Sequence, residues 1–248
     1  VSICLHRAPG YGTALPAEAR NLWGVGPDSD TARQLFSEQW RKFAARYHVI
    51  PSEHLSFNLV NEPPSISGEQ YLKVASLAVL AIRSEDPSRL IIADGRSVGR
   101  RPTPELAPLG IAQAGRGYSP FQVTHYKAPW VGGSASWPVP TWPLSSAAGI
   151  VDKDRLWKEE IEPWKELERL GVGVMIGEWG VFKETPHDVT LSWMKDCLDN
   201  WRKAGWGWCF WQLRGSMGIA DSNRTDVAYR EIDGMKVDTE MLNILKDG

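Results

Sequence analysis

Leu55-Ser56-Phe57-Asn58-Leu59-Val60-Asn61-Glu62-Pro63 and Val172-Gly173-Val174-Met175-Ile176-Gly177-Glu178-Trp179-Gly180 are two stretches of one shape. In each, an apolar run of strand length ends in a carboxylate and is then broken by Pro or Gly. Strands buried on both faces of a helix-covered parallel sheet read this way. Where such strands form a barrel, chemistry collects at their C-terminal ends, and Glu62 and Glu178 both fall there.

Working outward, strand patterns occur at 2–6, 55–61, 90–94, 121–125, 172–177 and 207–212. Helical periodicity fills roughly 31–47, 68–84, 152–170, 187–204 and 238–246. Asp86-Pro87 predicts a helix end, as do Gly171 and Gly205; Thr185-Pro186 predicts a start with Thr185 as N-cap. The alternation predicts an α/β fold with a parallel sheet and right-handed crossovers. The strand ends bring His6, Asn61, Glu62, Asp94, His125, Glu178, Trp211 and Gln212 to one edge. An open doubly wound sheet concentrates function at one switch point, whereas a barrel draws on every strand. A TIM-barrel-like (β/α) fold is therefore expected. It should be incomplete, with about six parallel strands where closure takes eight, in a single catalytic domain spanning 1–248.

The chain has 248 residues, 42% of them hydrophobic, and a net charge of -2, which offers no basis for a nucleic-acid or membrane-surface partner. No segment has transmembrane length and no signal peptide is legible. Cys4, Cys197 and Cys209 are far apart and read as small buried hydrophobes rather than a disulfide or zinc framework. Tryptophan is the outlier, at 13 residues. Trp40, Trp157, Trp164, Trp193, Trp201 and Trp206 lie in or beside helical patterns and are expected in the core. Trp23, Trp130, Trp137, Trp142, Trp179 and Trp211 adjoin Gly, Pro or turn residues, where an aromatic face can stack on a sugar ring. Asp94, before Gly95, reads as a turn-former. The acidic run Asp221–Asp226 lacks the central Gly and final Glu of an EF-hand loop, so no metal or cofactor is implied.

Two carboxyl groups across a cleft are the apparatus of glycoside hydrolysis. Five pieces, in order, sharpen this: Leu5-His6-Arg7-Ala8-Pro9-Gly10-Tyr11; Asn61-Glu62-Pro63; His125-Tyr126 with Pro129-Trp130; Gly177-Glu178-Trp179-Gly180; and Trp211-Gln212-Leu213-Arg214-Gly215. They resemble glycoside hydrolase family 5, the cellulase-like clan with a (β/α)8 barrel, from His6 to the C-terminus and without the first two βα units. The resemblance implies that Glu62 is the general acid/base and Glu178 the nucleophile of a retaining mechanism. Glu62 would then carry the proton for the leaving oxygen, and Glu178 would stay ionised among hydrogen-bond donors. Asn61 would contact the sugar 2-hydroxyl, His6, His125 and Tyr126 would line the reacting subsite, and Trp179 and Trp211 would stack on substrate.

Two departures stand out. The family's nucleophile-binding arginine has no counterpart, with Arg7 and Arg214 the candidates to replace it. The family's His-x-Tyr reads here as His125-Tyr126-Lys127, which makes Lys127 the expected donor to the nucleophile. The implied partner is a β-glucan or related polysaccharide or oligosaccharide, and an endo-β-1,4-glucanase is the leading expectation. Mannan, β-1,3-glucan, xylan and short oligosaccharides stay open. Six strands leave two edges, for which a homo-oligomer is expected. The alternatives are a catalytically weakened sugar-binding fragment and a repurposed site such as an esterase, with no nucleophile elbow counted in the esterase's support. Such substrates favour a secreted or periplasmic setting.

Overall fold

Both opening runs become strands of one parallel sheet. The computed structural model describes residues 1–13, 15–16, 18–147 and 149–248. Its main sheet has six strands: β1 (Ser2–Cys4), β2 (Ser56–Asn58), β3 (Ile91–Asp94), β4 (Ala112–Gly117), β5 (Val174–Trp179) and β6 (Trp208–Phe210), neighbours in that order. The register runs Ser2↔Ser56, Phe57↔Ile91, Ile92↔Ala112 and Trp208↔Ile176, all parallel. The Gln113 N–H donates to the Gly173 carbonyl and so leads β4 alongside β5. Helices alternate with these strands: α1 (Pro27–Tyr47), α2 (Gly68–Glu85), α3 (Glu162–Arg169), α4 (His187–Ala204) and α5 (Thr239–Asp247). This is an incomplete (β/α) TIM-barrel-like fold, as the alternation predicted.

The local punctuation follows the residues. Ser67 and Gln70 form a reciprocal capping box at the start of α2, which ends at Asp86 before Pro87. Gly171 and Gly205 take φ of 77° and 78°, the left-handed turn that ends α3 and α4. The start of α4 differs from expectation. Thr185 is not its cap: the Thr185 hydroxyl donates to the Val123 carbonyl at 2.5 Å, and the Asp226 carboxylate accepts the His187 N–H at 2.8 Å.

The expected strand at 121–125 is also corrected. Phe121–Thr124 is one helical turn, and the fourth strand is Ala112–Gly117, inside a stretch read as loop. Ala112-Gln113-Ala114-Gly115-Arg116-Gly117 has no apolar run because tryptophans fill the space above it. A Cβ on Gly115 would lie 3.3 Å from the Trp164 ring, and one on Gly117 would lie 2.7 Å from Trp201 and 2.9 Å from Trp179.

Contacts group the chain into two units, Val1–Gly115 with Trp164–Met175 and Arg116–Pro163 with Ile176–Gly248. In the first, Phe36, Trp40, Phe57, Tyr71, Ile82 and Ile91 are fully buried. Arg89 staples its base: the buried guanidinium pairs with Asp86 and donates to the carbonyls of Tyr47, Ile50 and Leu55. In the second, Trp179 is enclosed by Trp193, Trp201, Trp208 and Phe210 at ring centroid separations of 4.7–5.8 Å. Cys197 is buried and Cys4 half-buried, but Cys209 is exposed, against expectation. Among the described residues, no helix is long and apolar enough to cross a membrane.

Candidate active site

The chain leaves β2 through Leu59-Val60 and reaches Asn61 and Glu62 at the strand's C-terminal side. Glu62 has φ of 50° directly before Pro63. A left-handed non-glycine residue costs about 1–3 kcal/mol, and a following proline disfavours helical geometry further. Two partners hold it there. Its N–H donates to Asp94 Oδ2 at 2.9 Å, and its carbonyl accepts from the Tyr11 hydroxyl at 2.5 Å. Asp94 is therefore not a turn-former. It is fully buried at the end of β3, and its other oxygen accepts from Asn58 Nδ2 at 2.8 Å. Asn61 is anchored by Thr13, whose hydroxyl accepts from Asn61 Nδ2 at 2.9 Å and donates to the Asn61 carbonyl at 3.0 Å. Burial pushes the Tyr11 phenol up to about 12; the Thr13 hydrogen bond opposes this, and the Glu62 and Asp94 charges add to it. The phenol thus remains a donor. His6, just past β1, is exposed.

Glu178 lies on β5, with its neighbour Trp179 on the opposite face, as strand alternation requires. The hydroxyl of Tyr118, a buried residue just past β4, donates to Glu178 Oε1 at 2.7 Å. The expected donor, Lys127, has its ammonium 5.1 Å from the centre of the Tyr126 ring. Sequence reading missed Tyr118 because, with the strand placed at 121–125, the His-x-Tyr motif fell on His125 and its Tyr position on Lys127, nine residues too late. His125 still belongs to the same cluster: its ring stacks on Phe121 at 4.2 Å and meets Tyr118 edge-on at 5.2 Å. The Thr124 hydroxyl gives its proton to the Tyr118 carbonyl at 2.6 Å, so it accepts from His125 Nδ1 at 2.8 Å. Tyr126 is buried beside it.

The tryptophans divide differently from expectation. Trp179 and Trp23 are buried, and neither ring face is open to a sugar. Trp211 is exposed, and its N–H donates to the Trp179 carbonyl at 2.7 Å. Gly180 makes this approach possible, since a Cβ there would stand 2.1 Å from the Trp211 carbonyl oxygen. Trp130 is more than half exposed, with its ring edge-on to Phe182.

Of the arginines nominated to replace the family's own, Arg214 is paired with Asp221 at 2.6 Å, and Arg7 is exposed on a short hairpin strand. Arg224, in the acidic run, is a clamp. It is buried and donates to the carbonyls of Val181, Phe182 and Thr185, which fixes the loop after β5.

Gly95-Arg96-Ser97-Val98-Gly99 has the Gly-x-Ser-x-Gly pattern of a nucleophile elbow directly after β3. Its geometry does not suit acyl transfer. The Ser97 hydroxyl meets Ser65 Oγ at 3.2 Å, a partner that is no general base. The Val98 N–H, which an elbow reserves for the oxyanion, donates to the Pro63 carbonyl at 2.8 Å. The segment instead braces Pro63-Pro64 behind Glu62.

A parallel (β/α) sheet with glutamates held at its strand ends is the architecture of a glycoside hydrolase. The family model for Cellulase (glycosyl hydrolase family 5) matches residues 19–216, and the chain belongs to that family. A solved structure described as a glycoside hydrolase is 39% identical over 99% of this chain and 75% of its own, with a TM-score of 0.91. The endoglucanase Cel5A from the hyperthermophilic Thermotoga maritima is 23% identical over 90% of this chain and 68% of its own, with a TM-score of 0.73. Its complex with mannotriose is 22% identical over 88% and 68%, with a TM-score of 0.72. No curated protein sequence matches significantly.

Proposed function

We propose that the chain is a retaining endo-β-1,4-glucanase in which Glu62 is the acid/base and Glu178 the nucleophile. The observation that carries the reading is the Tyr118 hydroxyl on Glu178 Oε1 at 2.7 Å. A donor on one carboxylate oxygen orients the group and leaves the other oxygen for attack. In the first step the Glu178 carboxylate attacks the anomeric carbon while the Glu62 carboxyl group gives its proton to the departing glycosidic oxygen. In the second, the Glu62 carboxylate takes a proton from water, which attacks the same carbon and releases Glu178. Two inversions return the starting configuration, a geometry that needs carboxyl groups about 5–5.5 Å apart. Trp211, tethered beside the nucleophile strand, is the stacking floor, and Asn61, His6, His125 and Tyr126 are assigned to the reacting subsite. Trp179 is not assigned to substrate.

The test is reducing-sugar release from soluble β-1,4-glucan, with β-1,4-mannan as the rival substrate because the Thermotoga maritima enzyme has been solved with mannotriose. Glu178→Gln should abolish release. Glu62→Gln should lose far more activity on polysaccharide than on a dinitrophenyl cellobioside, whose leaving group needs no proton. Binding to glucan with negligible release by wild type and both variants alike would leave a sugar-binding protein in place of an enzyme.

A further inference from the structure

Two pieces of left-handed backbone meet behind Glu62. The first is Glu62 itself, at φ of 50°. The second is the turn after β3, where Ser97 and Val98 take φ of 55° and 63° in succession and Gly99 follows at 73°. Glycine takes such geometry freely, but a β-branched residue is strongly disfavoured there. Packing does little to offset the strain at Val98, which is 42% exposed. The hydrogen bonds explain the shape. Helical geometry of either hand aligns successive N–H groups. Here they reach successive carbonyls: the Val98 N–H donates to Pro63 at 2.8 Å and the Ser97 N–H to Pro64 at 3.2 Å. Pro63 and Pro64 have no N–H of their own, so their carbonyls are the backbone handles on the chain leaving Glu62. Arg96 Nη1 adds a third hold, on the Ile66 carbonyl at 3.2 Å. The turn is tightly packed at its base, where a Cβ on Gly95 would lie 2.5 Å from the Arg101 carbonyl oxygen and 2.6 Å from the Trp164 ring. A glycine at position 98 could make the same hydrogen bond without strain. Valine adds stiffness instead, since its branch at Cβ leaves only a narrow left-handed well.

We infer that Val98 is a positioning residue for Glu62: its stiff, strained turn fixes Pro63-Pro64 and so holds the acid/base carboxyl group where the leaving oxygen departs. The inference rests on the glycosidase reading for its consequence, but the coupling of the two turns is measurable without turnover. Val98→Gly should melt no lower than wild type, because glycine adopts this geometry without strain. It should nevertheless speed hydrogen exchange, followed by NMR, at the Glu62 N–H that donates to Asp94. It should also lower kcat/KM on a cello-oligosaccharide roughly 10-fold, with a far smaller loss on dinitrophenyl cellobioside, whose leaving group needs no proton. Val98→Ile, which keeps the branch at Cβ, should match wild type in all three measurements. Wild-type exchange at Glu62 in Val98→Gly would overturn the inference. So would a lower melting temperature, equal losses on the two substrates, or Val98→Ile behaving like Val98→Gly. If wild type hydrolyses neither substrate while exchange at Glu62 still quickens in Val98→Gly, the proposed function falls and the coupling between the two turns stands.

Discussion

Tyr118 donates to Glu178. Hydrogen bonds to charged groups are worth about 1.5–3 kcal/mol. Tyr118→Phe should therefore lower the melting temperature, and kcat should fall roughly 10-fold or more as the nucleophile loses its donor. Asp94 accepts from both Glu62 N and Asn58 Nδ2, so Asp94→Ala strands two donors at about 1–3 kcal/mol each. Its melting temperature should fall, and residual activity should fall with it because the left-handed turn at Glu62 loses its anchor. Tyr11 has a pH signature. An unfolded tyrosine ionises near pH 10, whereas Tyr11 in the fold is pushed up to about 12. The neutral phenol favours the fold below about pH 10, and that contribution disappears as pH rises from 10 to 12. Alkaline melts of wild type should lose ground to Tyr11→Phe across that window and run parallel to it below.

Elements carry the next layer. β4 is a strand of small residues shaped by the tryptophans packed on it, and Gly117→Ala would push a methyl group into Trp201 and Trp179. Overpacking of this kind costs about 1–3 kcal/mol, so a lower melting temperature is expected, together with misplacement of Tyr118 one residue on. The last helix, α5, is capped by Asp238, which accepts the Met241 N–H at 3.0 Å and meets His187 Nε2 at 2.8 Å. Burial works against this carboxylate, but the His187 and Met241 hydrogen bonds hold it below the usual range. A depressed carboxyl group stabilises the fold above its unfolded value near 4, and the contribution is lost as pH falls through the lower folded value. The stability advantage of wild type over Asp238→Asn should shrink as melts are taken below about pH 4.

At the scale of the whole molecule, the sheet ends on β1 and β6. Much of the architecture was legible in the sequence. The runs through Phe57 and Ile176, the helices ended by Gly171 and Gly205, and the Asp86-Pro87 stop are signals contained in a few consecutive residues. β4 was not legible, because its glycines answer to Trp164, Trp179 and Trp201, which lie far along the chain. The Gly-x-Ser-x-Gly pattern at Gly95 is legible in the sequence, but only its hydrogen bonds to Pro63 and Ser65 show that it is a brace. The sequence by itself determined the alternation of strands and helices, β4 apart, and the family to which they belong, since period and turn chemistry are local properties of the backbone. Which side chains meet Glu62 and Glu178 was decided only by tertiary structure. Asp94, Tyr11 and Tyr118 become their partners through strand register and face, which no short stretch of sequence contains.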